Sequence, residues 1–204
     1  LGDVYKRQFQ NRFYFHDREA FFGDNNQGLY STRDYSGQEM FGESKLILEH
    51  FWNTTANGED LHSHTMKFGG GLLVDSLQET VLGANPLQQA RWEFNPYGFT
   101  EYTYEFNTSF AWIAGMRVEH HNLYGLYLLP RMNIRWTTPN EWIVKLSAGR
   151  SARSPFILTE SFGRFASGRQ FLVDSAFIDN AYDERAWTYG INLFKSFEIG
   201  NTSW

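Results

Sequence analysis

Four arginines, Arg150, Arg153, Arg164 and Arg169, fall in one stretch of the chain with Phe156, Phe162 and Phe165 among them. Guanidinium groups fork onto carboxylates and phosphates, and rings add stacking surface. The stretch therefore has the means to grip an anionic, partly aromatic ligand. A competing reading pairs the same arginines with the nearby acids Glu160, Asp174, Asp179, Asp183 and Glu184, and the sequence leaves both open. Glu119 and His121 join the ligand-contact candidates at the end of an alternating segment. His62 and His64, two apart, would share one strand face as metal ligands do, but beside a short turn they read as a solvated rim pair. His120 and His121 would point to opposite faces and cannot serve one metal. The run "FGGG" at 68–71 lacks the spacing of a phosphate-binding loop and reads as a place for tight packing or bending. No G-x-S-x-G or H-E-x-x-H pattern occurs, so the expectation is a non-enzyme without metal or cofactor.

The elements that position these residues are strands. In "PRMNIRW" (130–136), Pro130, Met132, Ile134 and Trp136 alternate with Arg131, Asn133 and Arg135. The same period of two recurs at 110–121, where Phe110, Trp112, Ala114, Met116 and Val118 oppose Gly115, Arg117 and Glu119. At 142–150, Trp142, Val144 and Leu146 oppose Lys145 and Ser147; at 187–193, Trp187, Tyr189, Ile191 and Leu193 oppose Thr188, Gly190 and Asn192. Weaker versions at 44–52, 66–75 and 97–106, the last with Glu101 on its polar side, bring the expected total to seven strands. Short turns fall at 53–60, 107–109, 137–141 and 200–203, all at one end of an antiparallel array. Connections at 81–91, 121–125 and the long 155–185 fall at the other. The first forty residues read as a further long loop, and the N-x-S/T matches at the turns read as turn chemistry.

Composition narrows the class. Aromatics make up 18% of the 204 residues, yet mean hydropathy is −0.48, a combination that requires finely interleaved apolar and polar positions. The net charge of −5 argues against nucleic acid as a partner. Cys is absent, which excludes disulfides and thiolate metal sites. No apolar run is long enough for a transmembrane helix. Alternation alone fits a soluble ligand-binding barrel as well as a membrane barrel. Three features favour an apolar exterior: the apolar face carries no ionised residue across the four clearest strands until Lys195; Trp136 and Trp142 flank one turn, Phe106 and Phe110 another, and Trp52 precedes a third; and the strands are long enough to cross hydrocarbon when tilted. On that expectation Trp112, Met116, Met132, Ile134, Trp136, Trp142, Val144, Leu146, Trp187 and Ile191 face lipid. Glu101, Arg117, Arg131, Asn133, Arg135 and Lys145 face an aqueous interior.

The stretch 110–169, with its G-x-R-x-E-x-H start, the Y-G-x-x-x-x-P-R strand pair and the S-A-G-R-x-x-R-S-P hairpin, resembles the barrel of TonB-dependent outer-membrane receptors of the Bacteroidetes type. "AWTYGINLFKSF", "FFGDNNQGLYSTRDYSGQEM" and "GFTEYTYEF" are similar to that family as well, so the resemblance spans about residues 9–204. It implies an antiparallel transmembrane β-barrel of 22 strands with an N-terminal plug. It also implies TonB as energy-coupling partner, and import of a scarce solute: a siderophore, cobalamin, another metal chelate or a glycan. The loop arginines would then meet that solute or the phosphates of lipopolysaccharide. Seven strands make this a partial barrel, and neither plug glycine motifs nor a TonB box is visible. The opening "LGDVYKRQ" has no apolar core of a signal peptide and resembles translated adapter read-through, so residues 1–8 are set aside. A small passive or structural outer-membrane barrel is the alternative, and a soluble ligand-binding β-barrel the third.

Overall fold

The structure, a computed structural model, describes residues 4–22, 33–56, 59–83, 86–106, 109–161, 163, 182–195, 198–199 and 202–203. It is all-β. Eight strands form one antiparallel sheet in chain order: β1 (Val4–Phe22), β2 (Arg33–Ala56), β3 (Glu59–Leu82), β4 (Leu87–Phe106), β5 (Phe110–His121), β6 (Gly125–Thr137), β7 (Trp142–Arg153) and β8 (Glu184–Lys195). A two-residue hairpin, β9 (Glu198–Ile199) with β10 (Thr202–Ser203), stands apart. The sheet does not close: among the described residues β1 and β8 are its edges.

Three expectations are corrected. The main sheet has eight strands rather than seven. The first forty residues are not a loop, because β1 and the start of β2 occupy most of them; residues 4–8, set aside on sequence, pair with residues 47–51. The connection expected at 81–91 shrinks to 83–86, since β3 continues to Leu82 and β4 begins at Leu87. The β2–β3, β4–β5 and β6–β7 connections lie at one end, where Glu141 takes a φ of 64° in the last of them, but the turn expected at 200–203 belongs to the separate hairpin, and the connections 83–86 and 122–124 at the other end are as short. At the other end Gly125 closes the β5–β6 turn with a φ of 80°, a conformation glycine adopts without steric cost.

Register assigns each side chain to a face, since directly paired residues share one. One face carries the rows Lys67–Glu101–Gly115–Arg131–Gly149, Thr103–Ile113–Asn133–Ser147 and Glu105–Ala111–Arg135–Lys145. The other carries Trp112–Ile134–Leu146–Ile191, Met132–Ala148 and Trp136–Val144–Leu193, together with Met116, Trp142 and Trp187. Register thus puts the two named sets on opposite faces of β4 to β8, but Arg150 falls on the apolar side of β7, which corrects the expectation that this face has no ionised residue before Lys195.

Burial is inverted with respect to a water-soluble sheet. On the polar face Glu79 is 1% exposed, Glu39 and Glu93 6%, and Glu119 9%; on the apolar face Leu146 is 40% exposed, Trp136 51% and Ile191 73%. Soluble proteins almost never bury unpaired Glu and rarely leave a contiguous apolar face uncovered. The apolar band also runs obliquely to the hydrogen-bonded rows. Its upper limit is Arg150 in β7, His120 in β5 and Asp17 in β1. Traced across the sheet in register, those limits stand level with Thr100, Pro96 and Ala90 of β4. Strands tilted through a slab cut its boundary on such a diagonal.

Candidate functional site

The polar face curls. Lys45 of β2, Arg131 of β6 and Ser151 of β7 line one hollow of about 570 Å3. In a flat sheet β2 and β7 would stand about 24 Å apart at roughly 4.8 Å per strand, too far to share it.

Glycines make the floor of this hollow. A Cβ on Gly69 would stand 3.0 Å from the Phe99 ring, and one on Gly71 would stand 2.6 Å from the Tyr97 hydroxyl, so both rings lie down against β3. At Gly115 a Cβ would meet Arg131 Nε at 3.1 Å, and the missing side chain lets that arginine cross to Glu101, with which it pairs. The run 68–71 therefore serves close packing of rings. This bears out the reading of it as structural.

Charges on this face are organised as pairs. Arg117 lies 2.6 Å from Glu119 and places its guanidinium 3.7 Å from the Tyr97 ring centroid. Tyr97 donates to Glu43 at 2.7 Å, and Arg12 holds the other oxygen of Glu43 at 3.1 Å. Arg18 pairs with Glu39 at 2.8 Å and Lys67 with Glu49 at 3.1 Å. Burying carboxylates is costly unless cations and donors compensate the lost water, and these arrangements supply both.

Above the hollow, residues 154–161 fold back over the polar face and reach β2 and β3. Leu158 is 1% exposed and packs with Tyr35 and Val81. Tyr35 donates to Glu79 at 2.9 Å, and Thr159 donates to the same carboxylate. Arg91, itself 2.6 Å from Glu93, donates to the Pro155 carbonyl at 2.6 Å and stacks on Phe156 at 5.2 Å. His121, only 3% exposed, lies beneath. The Leu123 N–H donates to its Nδ1 at 3.2 Å, which puts the ring proton on Nε2, within 3.2 Å of Glu93 and 3.1 Å of Ser154 Oγ. His121 is thus committed to internal partners rather than open to a ligand.

The arginine stretch is dispersed. Arg153 is pinned between Glu160 at 2.9 Å and Glu184 at 2.7 Å, two of the acids named as its competing partners, and these carboxylates hold it firmly protonated. Arg150, level with Trp187, falls on the apolar side of β7 by register, yet it also lines the hollow beside Ser151. Phe162, Arg164, Phe165 and Arg169, like Asp174 and Asp179, lie outside the described residues. Near the start of β8, Arg185 donates to Asp183 at 2.5 Å. Burial raises that carboxyl, but hydrogen bonds from Arg185 and Tyr127, with the Arg185 charge, together outweigh it and hold Asp183 below the usual range.

His62 and His64 do share a face, the apolar one, and bond to Tyr104 at 2.7 Å and Tyr102 at 2.8 Å. His64 stacks on Trp52 at 5.1 Å. Lys195 sits with its ammonium 5.3 Å from the Trp142 ring centroid. Rings carrying one polar atom, collected at one end of an apolar band, match the belt at a membrane–water boundary. Among the described residues no three His, Asp or Glu side chains converge as metal ligands.

No family model matches the chain, and no curated protein matches it.

Proposed function

We propose that this chain forms an arc of a β-barrel in the outer membrane of a Gram-negative bacterium, with its curled polar face lining an aqueous passage. The carrying observation is the inverted burial: carboxylates buried in pairs on one face, Leu146, Trp136 and Ile191 uncovered on the other. Apolar side chains exposed to water at that density would drive aggregation, whereas lipid tails cover them at no cost. The oblique band and the His–Tyr–Trp rim add independent support. On this reading β1 and β8 are seams at which further strands add, because unpaired strand edges in hydrocarbon cost several kcal/mol per backbone group.

The resemblance carried by 110–169 extends the proposal to a TonB-dependent receptor importing a scarce solute, with TonB supplying the energy. The second reading, a small passive or structural outer-membrane barrel, is favoured by one observation: the sheet is an eight-stranded meander in chain order, and eight strands suffice for the smallest such barrels.

One experiment separates them. The intact gene product is produced with and without functional TonB, and growth is followed on limiting iron, cobalamin or glycan. TonB-dependent growth supports the importer, TonB-independent permeation supports the passive barrel, and recovery of the protein from the soluble fraction contradicts both.

A further inference from the structure

The hollow on the polar face has the size of a small-molecule site, which ordinarily measures some 300–1,000 Å3. Its carboxylates are spoken for: Glu43 by Arg12, Glu101 by Arg131, and Glu119 by Arg117. Lys45 is different. It lines the same hollow, is half-buried, and has no carboxylate within ion-pairing reach among the described residues. Phe99 is also half-buried, with one side of its ring against Gly69 and the remainder turned to the hollow. A flat apolar platform and an uncompensated ammonium group thus share one cavity. Lys45 is level with Tyr97, one row from Phe99 and two strands away, roughly 12 Å between Cα atoms at ordinary sheet spacings. A lysine stem and a single substituted ring together cover that distance.

We propose that this hollow binds a small flat anion, one aromatic or heteroaromatic ring bearing a carboxylate or phosphate, with the ring against Phe99 and the anionic group on Lys45. The neighbouring ion pairs are closed, and Arg150, the other cation that lines the hollow, belongs by register to the apolar side of β7, so a ligand on the polar face gains most by neutralising Lys45. Ring stacking supplies the second contact. The glycine floor is what leaves the volume vacant, since side chains at Gly69 and Gly71 would lift both rings into it. The assignment stands on the hollow and needs no membrane.

The test uses outer-membrane vesicles carrying the intact gene product, with benzoate and adenosine monophosphate as ring anions, inorganic phosphate as a ringless anion and glucose as a neutral control. Equilibrium dialysis should show both ring anions binding at least tenfold tighter than glucose. Lys45→Cys should lose about tenfold for both. Treatment of that variant with an aminoethyl thiosulfonate, which restores a positive charge at the site, should recover binding, whereas a sulfonatoethyl reagent should not. Phe99→Leu should weaken the ring anions several-fold and leave inorganic phosphate unchanged. Should Lys45→Cys fail to insert, Lys45→Gln takes its place in the binding comparison. Ring anions that bind no tighter than glucose, a Lys45 variant that binds like wild type, or adducts of opposite charge that behave alike would overturn the proposal. Ring-anion binding by a protein found outside the membrane overturns the barrel reading alone; a protein correctly placed in the membrane that binds neither ring anion overturns this inference alone.

Discussion

The hydroxyls of Tyr35 and Thr159, 124 positions apart in the chain, lie 3.1 Å from one another beside the same Glu79 carboxylate. The contact ties the segment after β7 to β2 and β3, so 154–161 acts as a strap across the curled face. Tyr35 lies above the apolar band, outside the proposed membrane span. Tyr35→Phe removes one donor from a buried carboxylate, a loss of about 1–3 kcal/mol. Amide exchange across 154–161 should accelerate about tenfold or more in the variant. Unchanged exchange would mean that the strap is held elsewhere.

The same contact predicts an alkaline limit. Burial, with the Glu79 carboxylate adding to it, pushes the Tyr35 hydroxyl above its ordinary pKa. The folded state therefore favours the neutral phenol. Its contribution is fully present below the unfolded value of about 10 and is lost as pH rises from there through the folded value. The protection factor of the strap, which is exchange corrected for its hydroxide-catalysed intrinsic rate, should fall above pH ~10 in the wild type and lose this pH dependence in Tyr35→Phe. A wild-type profile flat to higher pH would contradict it.

Arg91 and Glu93 form a buried pair whose members are each below a tenth exposed. Removing Arg91 leaves Glu93 buried with His121 as its remaining partner, at a cost of up to about 3–5 kcal/mol. Arg91→Met should therefore destabilise strongly in urea unfolding, and more than the double variant Arg91→Met/Glu93→Gln, which leaves no charge stranded. Strict additivity of the two single changes would show that the pair is not coupled.

Glycine positions supply a contrast within one sheet. A Cβ on Gly69 would stand 2.1 Å from the Leu46 carbonyl oxygen, a backbone atom that cannot move without breaking the β2–β3 ladder. At Gly98 the nearest atom would be 3.8 Å away. Gly69→Ala should abolish or severely reduce the folded fraction in the outer membrane, and Gly98→Ala should leave it near wild type. Equal yields would contradict the close packing of β2 against β3.

Strands β5 to β8 were legible in the sequence because Ile134, Leu146 and Ile191 alternate with Arg135, Lys145 and Asn192 without interruption. The first half of the sheet hid itself. In 39–44 the polar face presents Glu39, Phe41 and Glu43, while the other presents Met40, Gly42 and Ser44. Apolar and polar residues then fall on both faces, and the period of two disappears into what reads as loop. The carboxylates tolerate that placement only through partners on other strands, such as Arg12, Arg18 and Tyr97, which no local pattern announces. His121 was singled out at the right end of its strand, but its burial depends on Ser154 and the strap returning over it. The glycine floor depends likewise on Tyr97 and Phe99 arriving from β4.

The orientation of the two faces can be measured directly, because the 204 residues contain no cysteine. Single cysteines are placed at 145 and 146, at 133 and 134, and at 131 and 132 in the intact gene product in outer-membrane vesicles. Each is scored for reaction with a charged maleimide and, after spin labelling, for relaxation by oxygen against an aqueous nickel complex. Cysteines replacing Lys145, Asn133 and Arg131 should react with the maleimide and sense nickel; those replacing Leu146, Ile134 and Met132 should resist the maleimide and sense oxygen. The reverse pattern, or equal access of nickel to both members of each pair, would contradict a lipid-facing apolar side and with it the barrel.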